Sequence, residues 1–184
     1  MEIPTLRLVV NAETELRLLE EKDAAEMFAL IEQNRAHLRH WLPWLDMTIS
    51  MQDEINFIHH SEQQYIRSQG LTCAIIHHGS IAGSIGYNSI DWQNRKTEIG
   101  YWLGAAFEGK GLMTQACEEL IQFAFSVLEL NKVEIRCATG NNRSCAIPQR
   151  LGFTREGIIR QAEWLYDHYS DLELYGLLAS EWKR

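Results

Sequence analysis

The chain has 184 residues, 46% hydrophobic and 23% charged. That balance excludes a disordered tail, a collagen and a low-complexity linker, and the length predicts one domain spanning 1–184. Its 17 Lys+Arg against 25 Asp+Glu leave a formal charge of −8, with no basic stripe for nucleic acid and a balance that favours cationic or amine-bearing partners.

No apolar run is long enough for a membrane helix, so no membrane association is expected. The opening MEIPTLRLVVNAETE lacks the basic and apolar regions of a signal peptide. Cys73, Cys117, Cys137 and Cys145 form no CxxC pair. They read as reduced, mostly buried thiols of a cytoplasmic protein.

In chain order, Thr5–Val10 and Thr14–Leu19 alternate apolar and polar residues and predict two short strands. Lys22–Asn34 predicts a helix, and Arg35–Leu42 a second one ending at Pro43. Met51–Gln69 predicts a third, with Ser50 as N-cap and Gly70 as stop. Leu71–His77 and Ile81–Ile90 predict strands joined by a tight His78-Gly79-Ser80 turn. In the strand Thr97–Leu103, alternation places Ile99, Tyr101 and Leu103 on one face and Glu98 and Trp102 on the other.

Leu112–Leu128 predicts a strong helix with a broad apolar stripe. Val133–Thr139 is the next strand. A short helix capped by Asn141 or Asn142 runs to Leu151; Pro148 fits it only near the first turn. Arg160–Tyr166 and Asp171–Leu178 predict a hairpin around Asp167-His168-Tyr169-Ser170. The resulting order, β-β-α-α-α-β-β-β-α-β-α-β-β, implies a mixed α/β or α+β domain with a largely antiparallel sheet.

The segment richest in chemistry is a strand, a two-glycine loop and a long helix: Glu98-Ile99-Gly100-Tyr101-Trp102-Leu103, then Glu108-Gly109-Lys110-Gly111-Leu112-Met113-Thr114. Glycines let backbone N–H groups point outward, and a helix N-terminus adds partial positive charge, so the loop suits a phosphate or pyrophosphate. A P-loop fails because Gly111 stands where the Mg²⁺-binding hydroxyl belongs. A dinucleotide fingerprint fails because Thr114 replaces its third glycine.

Together with Asn141-Asn142-Arg143-Ser144, Leu151-Gly152-Phe153 and Asp171…Tyr175…Glu181-Trp182, these motifs resemble the GNAT acetyltransferases. Within them the chain is similar to the RimJ/RimL-type ribosomal-protein N-terminal acetyltransferases, over nearly its whole length. The resemblance implies a GNAT fold in which Glu98–Leu103 splays from Val133–Thr139, with acetyl-CoA as co-substrate between them. It implies pantetheine contacts with Tyr101, Trp102, Leu103 and Asn141. It places the pyrophosphate on the segment Glu108, Gly109, Lys110, Gly111, Leu112, Met113 and Thr114. Glu108 and Met113 depart from the family pattern, which has Gln or Arg at the first and Gly or Ala at the second. A carboxylate beside pyrophosphate is unfavourable unless it turns to solvent.

For the chemistry, Ser144 is the expected proton donor to the leaving thiolate and Glu98 the expected base, acting through a water. Each has a structural alternative: a helix cap for Ser144, a solvated or paired strand-face residue for Glu98. Trp44, with Trp41 and Trp164 as weaker candidates, is the expected acceptor wall. Cys137 and Cys145 read as plain thiols, since no neighbouring base activates them. No metal is expected: His77 and His78 are adjacent and should point apart, and no Cys or HExxH partner completes a site. The implied acceptor is an amine, foremost a ribosomal-protein N-terminus, and a homo-oligomer such as a dimer is expected. A small-amine acetyltransferase, or a non-catalytic acyl-CoA-binding module, is the alternative.

Overall fold

A computed structural model describes residues 6–183. Its elements are β1 (Arg7–Asn11), β2 (Thr14–Leu18), α1 (Ala24–Leu38), α2 (Met51–Ile66), β3 (Leu71–His77), β4 (Ser80–Asp91), β5 (Lys96–Leu103), α3 (Leu112–Ser126), β6 (Lys132–Ala138), α4 (Asn142–Arg150), β7 (Thr154–Leu165) and β8 (His168–Leu178). The strands form one sheet in the order β1-β2-β3-β4-β5-β6-β8-β7. Each described pairing is antiparallel except β5 with β6. The mixed, largely antiparallel sheet is the one expected.

Strand alternation gives the sheet two apolar faces. On β3, Cys73 and Ile75 join a core built with Leu112, Ala116, Leu120 and Ile121 of α3. Ala74, between them, joins a second core with Met27 and Ile31 of α1 and Ile58 of α2. On β5 the same rule sends Ile99, Tyr101 and Leu103 to the α3 side and Trp102 to the α1–α2 side, as expected. Each fully buried Ile or Leu stabilises the fold by roughly 1.5–3 kcal/mol.

The parallel pair creates the cleft. β5 and β6 stay in register only from Lys96↔Lys132 to Ile99↔Ile135. Beyond that, Gly100–Leu103 and Arg136–Ala138 diverge, so strand edges there are open to a ligand rather than to each other.

Four expectations change. The helices predicted over Lys22–Asn34 and Arg35–Leu42 merge into one, α1, which ends at Leu38, because no Gly or Pro interrupts the buried series Met27, Ile31, Leu38. Pro43 instead opens a short 3-10 turn, Pro43–Met47. Ser50 caps α2, bonded by the Asp53 N–H, but the helix stops at Ile66; Ser68, not Gly70, takes the left-handed conformation. β7 and β8 are longer than predicted. His168, Tyr169 and Ser170 pair with Leu165, Trp164 and Glu163, so the turn shifts to Tyr166-Asp167, where Tyr166 has φ 59°. Thr5 of the first predicted strand lies outside the described residues.

Candidate active site

Two cavities open on the splay, one of about 1000 Å³ and one of about 520 Å³. They share Trp41, Leu42, Tyr101, Trp102, Asn141 and Ser144 as a common wall. A group entering from one side therefore meets a group entering from the other beside Ser144.

The larger cavity follows the two-glycine loop. Gly109 and Gly111 both have left-handed backbone, φ 74° and 77°, which costs any residue with a Cβ roughly 1–2 kcal/mol. No heavy atom lies within 4 Å of where a Gly109 Cβ would stand. α3 begins directly after Gly111 with no side-chain cap, so its first N–H groups remain free to bind an anion. Tyr101, Trp102, Leu103, Glu108, Gly109, Gly111, Leu112, Met113, Thr114 and Asn141 line this cavity. Lys110 does not; its ammonium lies over the Phe107 ring, 5.7 Å from the centroid.

Glu108 does not turn to solvent. Its carboxylate is bonded to His37 Nε2 at 2.7 Å and to Arg143. The pairing offsets the repulsion expected between this carboxylate and a phosphate. Met113 is buried and packs in the α3 core. Arg143, quoted only within its motif, and Arg150, which no motif marks, add positive charge to the cavity wall.

At the junction, Asn141 caps α4: its side-chain oxygen accepts from the Ser144 N–H at 3.1 Å. Pro148 sits well past the first turn of α4, against expectation. Its missing N–H would have bonded the Ser144 carbonyl, four residues back. That carbonyl instead accepts from the Tyr101 hydroxyl at 3.1 Å, and the Ser144 hydroxyl donates back to Tyr101 at 3.2 Å. Burial pushes the Tyr101 phenol far above its ordinary range, so it stays protonated. The proline thus frees an acceptor that locks Tyr101 against Ser144.

Cys137 and Cys145 are joined by a disulfide, contrary to the reading as separate thiols. The end of β6 and the first turn of α4 bring their Cα atoms to 5.8 Å, within bridging range. Cys73 and Cys117 are free and buried. Burial pushes the Cys73 thiol up to about 12 and the Cys117 thiol higher still.

The smaller cavity is acidic and aromatic. Trp44 lines it and packs against Trp102, with ring centroids 6.1 Å apart. Trp164 lines neither cavity; it is exposed and packs edge-on to Tyr169. Glu98 accepts from Asn88 Nδ2 at 3.0 Å and pairs with Arg136 Nε at 3.1 Å. Glu163 shares the cavity, its carboxyl raised by burial and then by the charge on Glu98. Glu54 of α2 also lines it. The signal for Glu54 was a carboxylate on the buried helical stripe Glu54, Ile58, Ser61.

His77 and His78 do not point apart. His78 leaves the strand with φ 50°, and the two rings lie 4.2 Å apart beside Glu13. Alternation governs only extended backbone, and the turn breaks it.

A model of the acetyltransferase (GNAT) domain matches residues 14–154. The "Putative ribosomal N-acetyltransferase YdaF" of Bacillus subtilis (strain 168) is 41% identical over 175 residues, covering 95% of this chain and 96% of that protein. The ribosomal-protein-serine acetyltransferase of Escherichia coli (strain K12) is 30% identical over 171 residues, 93% of this chain and 96% of its own. The solved RimL ribosomal L7/L12 alpha-N-protein acetyltransferase, in complex with coenzyme A, superposes with a TM-score of 0.92 at 27% identity, covering 96% of this chain and 99% of that one. With its sheet splayed at β5 and β6 and its amide-lined loop before α3, the chain belongs to the GNAT acetyltransferase family and is an acetyl-CoA-dependent N-acetyltransferase.

Proposed function

We propose that the chain transfers acetyl from acetyl-CoA to the N-terminal α-amine of a ribosomal protein. What carries the reading is near full-length similarity to relatives named for ribosomal-protein acetylation, joined to a cavity pair that meets at Ser144. Backbone N–H groups from Gly109 to Thr114 hold the pyrophosphate, helped by Arg143 and Arg150. Tyr101–Leu103 and Asn141 hold the pantetheine arm. Acetyl-CoA supplies an acetyl thioester.

The acceptor enters through the smaller cavity, past Trp44, and must lose a proton to expose its lone pair. An α-amine, with pKa about 8, does so far more readily near neutral pH than a lysine at about 10.4. Glu98, held by Asn88 and Arg136, contributes fixed negative charge toward the incoming ammonium. Ser144, held by Tyr101, hands a proton to the leaving sulfur.

The test is thiol release from acetyl-CoA with free-α-amine ribosomal-protein peptides, the same peptides α-blocked, polyamines and aminoglycosides. Release only with the free peptides supports the reading. Release only with a small amine overturns the acceptor and keeps the chemistry. Tight binding of coenzyme A without release from any acceptor favours a binding module.

A further inference from the structure

Glu54 is a carboxylate left without a partner inside the acceptor cavity. It is 3% exposed, yet among the described residues no hydrogen bond or ion pair reaches its side chain. No fully enclosed side-chain oxygen or nitrogen of those residues lacks a partner. The Glu54 carboxylate therefore opens onto the cavity it lines, not onto packed protein. A buried ionised carboxylate without a partner is costly, and a fold keeps one where a ligand completes it.

We propose that Glu54 receives the acceptor's ammonium and takes its proton. The inference rests on the acetyl-transfer reading and deepens it. The other charged groups facing the cavity are Glu98 from β5, Arg136 from β6 and Glu163 from β7. Glu98 is already committed to Asn88 and Arg136. Asp53, the residue before Glu54, is committed to the cap of α2. From α1 and β4 the cavity receives only neutral side chains, such as Met27, Ile31 and Ser84. Burial alone raises the Glu54 carboxyl, to about 7, where a base changes state within the working range.

The step balances. The ammonium gives one proton to the Glu54 carboxylate, leaving a neutral amine and a carboxylic acid. The amine nitrogen bonds to the acetyl carbon as the carbon–sulfur bond breaks, and the electron pair leaves with sulfur. The second N–H proton passes through Ser144 to that sulfur. Glu54 returns the first proton to water. The site takes a primary amine on an end slim enough to pass Trp44 and Phe57.

The experiment compares wild type, Glu54→Gln and Glu54→Asp in thiol release with a free-α-amine peptide from pH 5.5 to 9.5. Acetyl-CoA affinity is measured calorimetrically on each. Glu54→Gln should lower kcat/KM by about 100-fold or more near pH 7.5 and remove the acidic limb near pH 7. Acetyl-CoA affinity should stay within about threefold, and Glu54→Asp should recover part of the rate. A Glu54→Gln rate within about threefold of wild type at every pH overturns the role of Glu54 and leaves the acetyl-transfer reading intact. If only a small amine is turned over, the ribosomal acceptor falls, and Glu54 is judged by the same comparison on that amine. A wild-type chain that acetylates no amine overturns both.

Discussion

Replacing Glu54 by Gln should make the protein more stable, by more at alkaline than at acidic pH. The carboxyl sits at about 7 in the fold against an ordinary 4.5. Its folded-state pKa is raised, so the folded state holds the proton more tightly than the unfolded chain. Stability is therefore lost as pH climbs from about 4.5 through about 7 and levels off above that. The gap of about 2.5 pH units corresponds to about 3 kcal/mol, at roughly 1.36 kcal/mol per unit. Gln is neutral at every pH and close in shape. Urea unfolding of both proteins should give Glu54→Gln an advantage of about 3 kcal/mol at pH 8.5, narrowing to about 1 kcal/mol at pH 5. An advantage that does not change between those pH values, or none at pH 8.5, refutes the reasoning that an unpaired carboxylate is held there at a cost.

Tyr101→Phe removes both hydrogen bonds to Ser144 and should cost about 1–3 kcal/mol in unfolding free energy, with a fall in kcat larger than any change in acetyl-CoA affinity. Gly109→Ala places a Cβ at φ 74°, so it should cost about 1–2 kcal/mol in unfolding free energy and weaken coenzyme A binding about tenfold in calorimetry, because the amide cradle must re-form. Reducing the Cys137–Cys145 bond, which closes a loop with sequence separation 8, should lower unfolding free energy by about 2–3 kcal/mol; a Cys137→Ser, Cys145→Ser double variant should be insensitive to the reductant.

The fold was legible where periodicity is local. Alternation on β5 sorted Ile99, Tyr101 and Leu103 from Trp102 without reference to any other strand. The loop from Glu108 to Thr114 declared itself through two glycines ahead of an apolar helix. Legibility failed where a partner distant in sequence decides the outcome. Glu108 looked misplaced because His37 and Arg143, which hold its carboxylate, lie 71 and 35 residues away. The Cys137–Cys145 bond depends on how β6 meets α4, which no spacing rule supplies. The start of β8 moved to His168 because His168–Ser170, with the strand-favouring Tyr169, gains more from pairing with Glu163–Leu165 than from forming the turn.

Pro148 and Glu54 break local rules in the same way. A proline inside a helix removes a backbone hydrogen bond, and a buried carboxylate without a partner gives up its hydration. Both breaches bear on the cleft, Glu54 by lining it and Pro148 through the Ser144 carbonyl. The bond Pro148 withholds leaves the Ser144 carbonyl to Tyr101, which fixes the hydroxyl where the two cavities meet. The partner Glu54 lacks leaves a proton acceptor where an ammonium must arrive. Elsewhere in the described residues, buried charge follows the ordinary rule: Asp23 is held by Arg17, and Glu134 by Lys96 and Lys132. Among the buried charged residues described, Glu54 thus stands apart. One breach leaves a carboxylate to take a proton from the incoming ammonium and the other fixes the hydroxyl that delivers one to sulfur, the two proton transfers that acyl transfer to an amine requires.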